Sequence, residues 1–443
     1  MEFTLALTEP TLPGSFAHVR LTNTAQSADL KFDQAEDLLR MYRPGTLQSE
    51  LVLDLMLLGA TAFALDRLVK RSAADDAWTR DIALELPVSD VALWQQAQDS
   101  VERCLTFLSG DEWQVRFVPR VQKLVLPGAS NNNPVAQVVS LYSGGLDSFI
   151  GAIDYLAQHP GHAMVLVGHR DFRGVRGVMS DQDDTFAALE QEYPGRVHLR
   201  QAVVGCIPAT ENTLRSRSLL FLCMGLVAAH GQGDNIALMI PENGNIALNS
   251  PLTPARTGSC STRTVHPQFL DYFRDILRGL GIRNEVQNPL GEKTKGECVR
   301  QCLNQPLLLR AHNHTNSCAK RSHRVTWLNR QASHCGRCMP CIYRRAALHT
   351  IGADTAVYGR DICQGEVDPL ATAVYTNDFR ACLALLQDNP SQRQVARSLL
   401  ASGHLNLAKL QGYAAVFRQA LQEVRALLAA KATAPIKHAA GIP

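Results

Sequence analysis

The sequence predicts an α/β protein, with a parallel sheet wrapped by helices, an α+β region before it and helices after it. Three observations predict this. Between residues 138 and 240 short apolar runs alternate with helix-period stretches, the pattern of successive β-α units in a parallel sheet. The first of those runs ends in Ser143-Gly144-Gly145, a strand-to-helix turn. From about Asp378 the chain is rich in Ala, Leu, Gln and Arg, which favours helix.

Taken in order, residues 34–40 and 51–67 space their apolar side chains as helices do, 82–87 reads as a strand and 91–108 as a further helix. The turn-rich stretch 127–134 reads as a linker, so the boundaries fall at 1–130, 131–350 and 351–443. The first is an accessory N-terminal domain, the second the α/β domain and the third a helical region. Strands are expected at 138–142, 163–167, 196–204 and 236–240. Helices are expected from the glycine turn to about 158, then at 214–230, 269–280 and 294–303. The residues after Lys431 are expected to fray.

Composition narrows the function. The 443 residues carry 44 Lys+Arg against 41 Asp+Glu, a net charge of +3. That balance excludes a strongly basic nucleic-acid coat, and direct nucleic-acid binding is not expected. The most apolar stretch, 51–65, contains Asp54 and is shorter than the ~20 residues that a membrane span needs. Met1-Glu2-Phe3-Thr4 lacks the cationic start of a secretory signal, so the reading is a cytoplasmic protein with no membrane contact. Of the 12 cysteines, three crowd between residues 335 and 341, which suits metal ligation better than a disulfide framework.

Two motifs carry chemistry. In Ser143-Gly144-Gly145-Leu146-Asp147-Ser148 the glycines allow a tight turn and close approach to an anion. The helix that opens near Leu146 offers unpaired N–H groups and the positive end of its dipole, and Ser143 and Ser148 add hydroxyls. Asp147 would repel phosphate directly, so it holds the loop or helps to bind Mg²⁺. The pattern is not a Walker loop, which needs Gly-x-x-x-x-Gly-Lys-Ser/Thr. The second motif is Cys335-x-x-Cys338-x-x-Cys341, with Cys318 upstream as a fourth thiol. Four thiolates suit a closed, structural Zn²⁺ site, and an iron–sulfur cluster is the alternative at this spacing. His334 could replace one thiol, and the other eight cysteines read as core residues.

The six-residue loop matches the PP-loop ATP pyrophosphatases, and together with three later segments the chain resembles the 7-cyano-7-deazaguanine synthase (QueC) family. Those segments are Arg217-Ser-Leu-Leu-Phe-Leu222, then Asn288-Pro-Leu with Lys295-Gly-Glu297, then Ser317-Cys318 with the cysteine triplet and Arg344. They cover about residues 138–350. The additional N- and C-terminal regions are similar to those of the QueC-like proteins of Qat anti-phage defence systems. This resemblance implies a Rossmann-like PP-loop fold over 131–350 and an ATP-dependent C–N bond-forming ligase, with ATP, Mg²⁺ and Zn²⁺ as cofactors. The implied substrate is 7-carboxy-7-deazaguanine, adenylated on its carboxylate and then attacked by a nitrogen nucleophile. The product is the 7-cyano base or a deazaguanine-modified, co-encoded defence protein.

By position, Ser143 to Ser148, Arg217 and Lys295 would hold the nucleotide, and Asp147, Lys295 and Arg217 would serve catalysis. The chain departs from the family after the second and fourth strands. There Gly168-His169-Arg170-Asp171 and Pro241-Glu242-Asn243-Gly244-Asn245 stand in place of the family's substrate segments, followed by a polar insertion through Thr264. Glu242 and Asn243 could pair with a guanine-like edge, and His169 could act as a base. Ala319 to Ser333 reads as an inserted loop. A PP-loop enzyme that modifies tRNA, or a scaffold that binds ATP without catalysis, would carry the same loop.

Overall fold

The computed structural model describes residues 1–8, 18–122, 124, 126, 133–170, 178–250, 263–368 and 373–443. The chain opens with strands β1 (Glu2–Thr8), β2 (His18–Thr22) and β3 (Ser27–Asp33), an antiparallel meander. Helices α1 (Glu36–Leu39) and α2 (Leu47–Leu68) follow, then β4 (Asp81–Val88), α3 (Val91–Ser109) and β5 (Glu112–Pro119). The motif-bearing segment begins with β6 (Val138–Leu141), α4 (Leu146–Gln158), β7 (Met164–Arg170), α5 (Val178–Glu192) and β8 (Val197–Ile207). It continues with α6 (Arg217–Gln232), β9 (Ala237–Met239), α7 (Gly244–Ala247), α8 (Pro267–Gly279) and β10 (Val286–Gln287). Then come α9 (Lys295–Gln301), α10 (Gln305–Ala311) and α11 (Met339–His349). Helices α12 (Asn377–Asp388), α13 (Gln392–Leu400), α14 (Leu410–Lys431) and α15 (Ala434–Ala439) complete the chain.

All described strands join one 10-stranded, mostly parallel sheet in the order β10-β9-β6-β7-β8-β3-β2-β1-β4-β5. The five strands β10, β9, β6, β7 and β8 run parallel to one another. Side chains alternate between the two faces along each strand. Val138, Tyr142, Met164 and Leu166 therefore enter a core with residues of α4, α9 and α10. Val139, Leu141, Val165 and Val167 enter the opposite core with residues of α2 and α6.

Strand β8 joins the N-terminal region to the rest. It is long enough to pair with β7 over its first half and, through Val203 to Ile207, antiparallel with β3 over its second. The N-terminal meander thus continues the sheet and shares the α2/α6 core. Helix α2 is buried along almost its whole length, and its Asp54 is satisfied inside the protein. That carboxylate accepts from Ser89 N–H at 2.7 Å, Trp94 Nε1 at 3.3 Å and Arg120 Nε at 3.1 Å. No helix among the described residues is long and apolar enough to cross a membrane.

Most expected elements are present within a few residues. Strands β1, β2, β3 and β5 were not expected, and the region after Lys431 is not frayed. There α15 packs Ile436 and Ala440 into the C-terminal core beside Leu386 and Leu428, and that burial offsets the weakness of a short terminal helix. The stretch 319–333 contains a 3-10 segment, Arg321–Thr326, and buries Trp327. Most of the 127–134 linker and of the insertion before Thr264 lies outside the described residues.

Candidate active site at the carboxyl edge of the sheet

Strand β6 lies between β7, reached through α4, and β9, reached only after the chain has built β7 and β8. The strand order reverses there, and in open α/β sheets a crevice for ligands forms at the carboxyl ends of such strands. Three of the loops singled out in the sequence leave that edge: 143–145 after β6, Glu242 and Asn243 after β9, and the turn to Lys295 after β10.

The first loop is shaped by Gly144, whose φ of +74° is a left-handed conformation. A Cβ there would also sit 3.0 Å from the backbone of Asp181 and Gln182. Ser143 Oγ accepts from Gly145 N–H at 3.2 Å and lies 3.3 Å from Ser148 Oγ, which donates to the Gly145 carbonyl at 3.0 Å. No side chain caps the first turn of α4. Its N–H groups and dipole end are thereby available to an anion.

Asp147 points from that first turn into a buried polar cluster. Its Oδ2 pairs with Lys295 Nζ and accepts from Asn243 Nδ2 at 2.9 Å. Asn243 Nδ2 also lies 3.2 Å from Glu242 Oε1, while its Oδ1 caps α7 through Ile246 N–H at 3.2 Å. Burial alone would raise the Asp147 carboxyl, but the Lys295 ammonium beside it, with donors from Glu242 and Asn243, holds it below the usual carboxylate range. Glu242 moves the other way: loss of hydration and the Asp147 charge push it well above its ordinary value. The two acids therefore shift in opposite directions beside one lysine. Asp147 Oδ1 is buried and has no hydrogen-bond partner.

Surrounding residues hold this cluster. Asn288 accepts from Glu242 N–H at 3.2 Å and donates to its carbonyl at 2.9 Å. Thr294 starts α9 with a capping box to Glu297. Glu423 of α14, a residue that the sequence analysis missed, accepts from Thr294 Oγ1 at 2.6 Å and Gly296 N–H at 3.2 Å. A Cβ on Gly296 would lie 2.3 Å from that carboxyl group, so a larger residue next to Lys295 would displace Glu423 from its contacts. The available signal was positional, because Glu423 occupies the apolar stripe that runs through Val416, Ala420 and Leu427.

Arg217 opens α6, as its sequence position suggested, and is bound to His169 at the end of β7. Its Nε donates to His169 Nδ1 at 3.0 Å and an Nη to the His169 carbonyl at 2.9 Å. His169 Nε2 in turn donates to the Val204 carbonyl at 3.0 Å. Both ring nitrogens are engaged, and burial together with the Arg217 charge pushes the imidazole down to about 3. His169 therefore orients Arg217 as a neutral ring and has no nitrogen left to act as a base. The neighbouring Arg215 stacks on Trp78, 4.9 Å from the ring centre.

Cys318, Cys335, Cys338 and Cys341 bring their sulfurs within 4.8 Å of one another. The Cys335 and Cys341 sulfurs are 3.8 Å apart. Tetrahedral Zn²⁺ with Zn–S near 2.3 Å spaces its ligands about 3.8 Å apart, so the thiols suit a metal such as zinc. Backbone N–H groups of Cys335 and Cys338 point at neighbouring sulfurs at 3.3 Å, which favours thiolates. His334 is outside the group. Among the described residues the remaining cysteines are buried, as expected; Cys260 lies outside them.

Compared with protein-family models, with curated proteins and with solved structures, the chain matches none.

Proposed function

We propose that the protein is an ATP-dependent ligase of the QueC-like kind, which adenylates the carboxylate of a 7-deazaguanine. One observation carries the reading: Asp147, Glu242, Asn243 and Lys295 converge beside an uncapped Ser-Gly-Gly turn at the strand-order reversal. In this reading the Ser143–Ser148 turn cradles phosphate oxygens with backbone N–H groups. Lys295 and Arg217 neutralise the departing pyrophosphate, a preorganised electrostatic role. The orphaned Asp147 Oδ1 is the oxygen of this cluster that could take Mg²⁺, which would offset phosphate charge. The four thiols hold structural Zn²⁺.

The substrate carboxylate oxygen would attack the α-phosphorus as the bond to the β-phosphate oxygen breaks, giving an acyl-adenylate and pyrophosphate. A nitrogen nucleophile then attacks the acyl carbon, AMP leaves, and the nitrogen loses a proton. With ammonia the product is an amide that a second ATP converts to the nitrile; with an amine of a co-encoded defence protein it is a modified protein. Glu242 is the residue of this cluster assigned to reading the base; Asn243, whose Nδ2 is bound to Asp147 and whose Oδ1 caps α7, orients it instead.

Mass spectrometry after incubation with ATP, Mg²⁺, 7-carboxy-7-deazaguanine and ammonium tests this. AMP, pyrophosphate and the amide or nitrile are expected, or a mass increase on a co-encoded protein when that protein is added. Intact ATP and substrate in both incubations would refute the reading.

A further inference from the structure

The four-cysteine group and the Ser-Gly-Gly turn are described above as separate sites, but one residue is bonded to both. Asn316 lies two residues before Cys318, and its Oδ1 accepts from Cys318 N–H at 2.8 Å. Its Nδ2 donates to the carbonyl of Ser333 at 3.3 Å, two residues before Cys335. The side chain therefore staples together the two chain segments that supply the thiols. Its backbone faces the other way. Asn316 N–H donates to the Gly144 carbonyl at 2.9 Å, and its own carbonyl oxygen lies 3.3 Å from where a Cβ on Gly145 would be.

A second tie runs in parallel. Arg321, three residues after Cys318, is ion-paired with Asp181, and the backbone at Asp181 and Gln182 packs against the opposite side of Gly144. Both walls of the turn are thus fastened to the segment that begins at the first cysteine. With the thiols cross-linked by a metal, Cys318 and Cys335 are held at a fixed separation and Asn316 has one position. Without the cross-link, weaker ties near the thiols, such as the Asn316 side-chain bonds and Cys335 N–H to the Cys318 sulfur, are left to oppose the chain entropy of the 319–333 loop.

We propose that Asn316 is a positioning residue through which metal occupancy of the Cys318/Cys335/Cys338/Cys341 site sets the conformation of the 143–148 turn. The metal then governs anion affinity from outside the anion site. The consequence for ligands rests on reading the turn as a phosphate cradle; the mechanical coupling does not.

The test uses the full chain in four forms: wild type loaded with Zn²⁺, wild type after chelation, Zn²⁺-loaded Asn316→Ala, and Zn²⁺-loaded Asn316→Asp as the conservative control. Metal content, amide hydrogen exchange in the 143–148 peptide, and affinity for ATP and for inorganic pyrophosphate are measured on each. Chelation is expected to speed exchange across 143–148 and to weaken anion binding about fivefold, the equivalent of about one hydrogen bond. Asn316→Ala should retain one metal ion yet show the faster exchange and weaker binding, and Asn316→Asp, which keeps the Cys318 contact, should recover part of both. Unchanged exchange at 143–148 in Zn²⁺-loaded Asn316→Ala would overturn the coupling, even if chelation unfolds the protein. Altered exchange in a wild-type protein that binds neither ATP nor pyrophosphate would uphold the coupling and refute the phosphate reading instead.

Discussion

Replacing Lys295 with methionine tests the central cluster in a way that separates stability from chemistry. Lys295 and Asp147 are both buried, at 4 % and 6 % exposure, and Lys295 is the cation that keeps Asp147 ionised beside Glu242. Methionine keeps the bulk of the side chain and removes the charge. An orphaned buried carboxylate typically costs about 3–5 kcal/mol. Protonating Asp147 at pH 7 from a normal value near 3.8 costs a similar amount, about 4 kcal/mol at 1.36 kcal/mol per unit. Lys295→Met should therefore lower the unfolding free energy by about 3–5 kcal/mol. Adding Asp147→Asn removes the second charge, and the double variant should regain about half of that loss.

The pH dependence has a definite sign. In Lys295→Met the folded-state value for Asp147 rises above its unfolded value, so the native state binds more protons and gains stability, relative to wild type, as pH falls from 7 to 5. Urea unfolding at both pH values reads all of this. Under the proposed function both variants should also lose ATP-dependent pyrophosphate release, although one has regained about half of the lost stability. A Lys295→Met protein within about 1 kcal/mol of wild type, with a parallel pH profile, would refute the buried pair, because breaking such a pair costs several times as much.

Three further outcomes follow from the same geometry. Glu423→Ala leaves the Thr294 hydroxyl and Gly296 N–H without an acceptor, a loss of about 2–4 kcal/mol in urea unfolding, with Glu423→Gln retaining about half of the lost stability. His169 and His266 are both pushed down to about 3 by burial, so each is neutral when folded and takes up a proton near its ordinary value when unfolded. Their contribution is complete above pH 6.5 and is lost as pH falls toward 3, at about 1.4 kcal/mol per unit for each; His169→Gln should remove one proton from the acid slope of the unfolding free energy. Deleting residues 1–122 uncovers the β8 edge at Val203–Ile207 and the apolar side of α6, so sedimentation should detect aggregates rather than a stable monomer.

Local signals in the sequence were strong wherever one segment completes its own pattern. The run 138–142 alternates its side chains between two cores, and the glycine turn opens α4 where it was expected. The thiols at 335, 338 and 341 meet Cys318 across an intervening loop. Short β1 and β2 lacked such a signal, because five to seven residues carry little periodicity, even though the two strands pair with each other. The alternative roles of His169 were likewise open until the partners of its two nitrogens were visible.

The sequence by itself determined the α/β class, the position of the Ser-Gly-Gly turn and the four thiols, since each depends on residues near one another in the chain or on side-chain chemistry alone. Tertiary structure alone decided that the N-terminal meander continues the sheet, that Asp147, Asn243, Glu242 and Lys295 form one cluster braced by Glu423 of α14, and that Asn316 joins the thiol segments to the glycine turn. Those relations reach far along the chain: Asp29 of β3 pairs with Ile207 of β8, and Lys295 meets Asp147 across 148 positions. They are set by which faces find a complementary surface to bury against, and no local spacing encodes that choice.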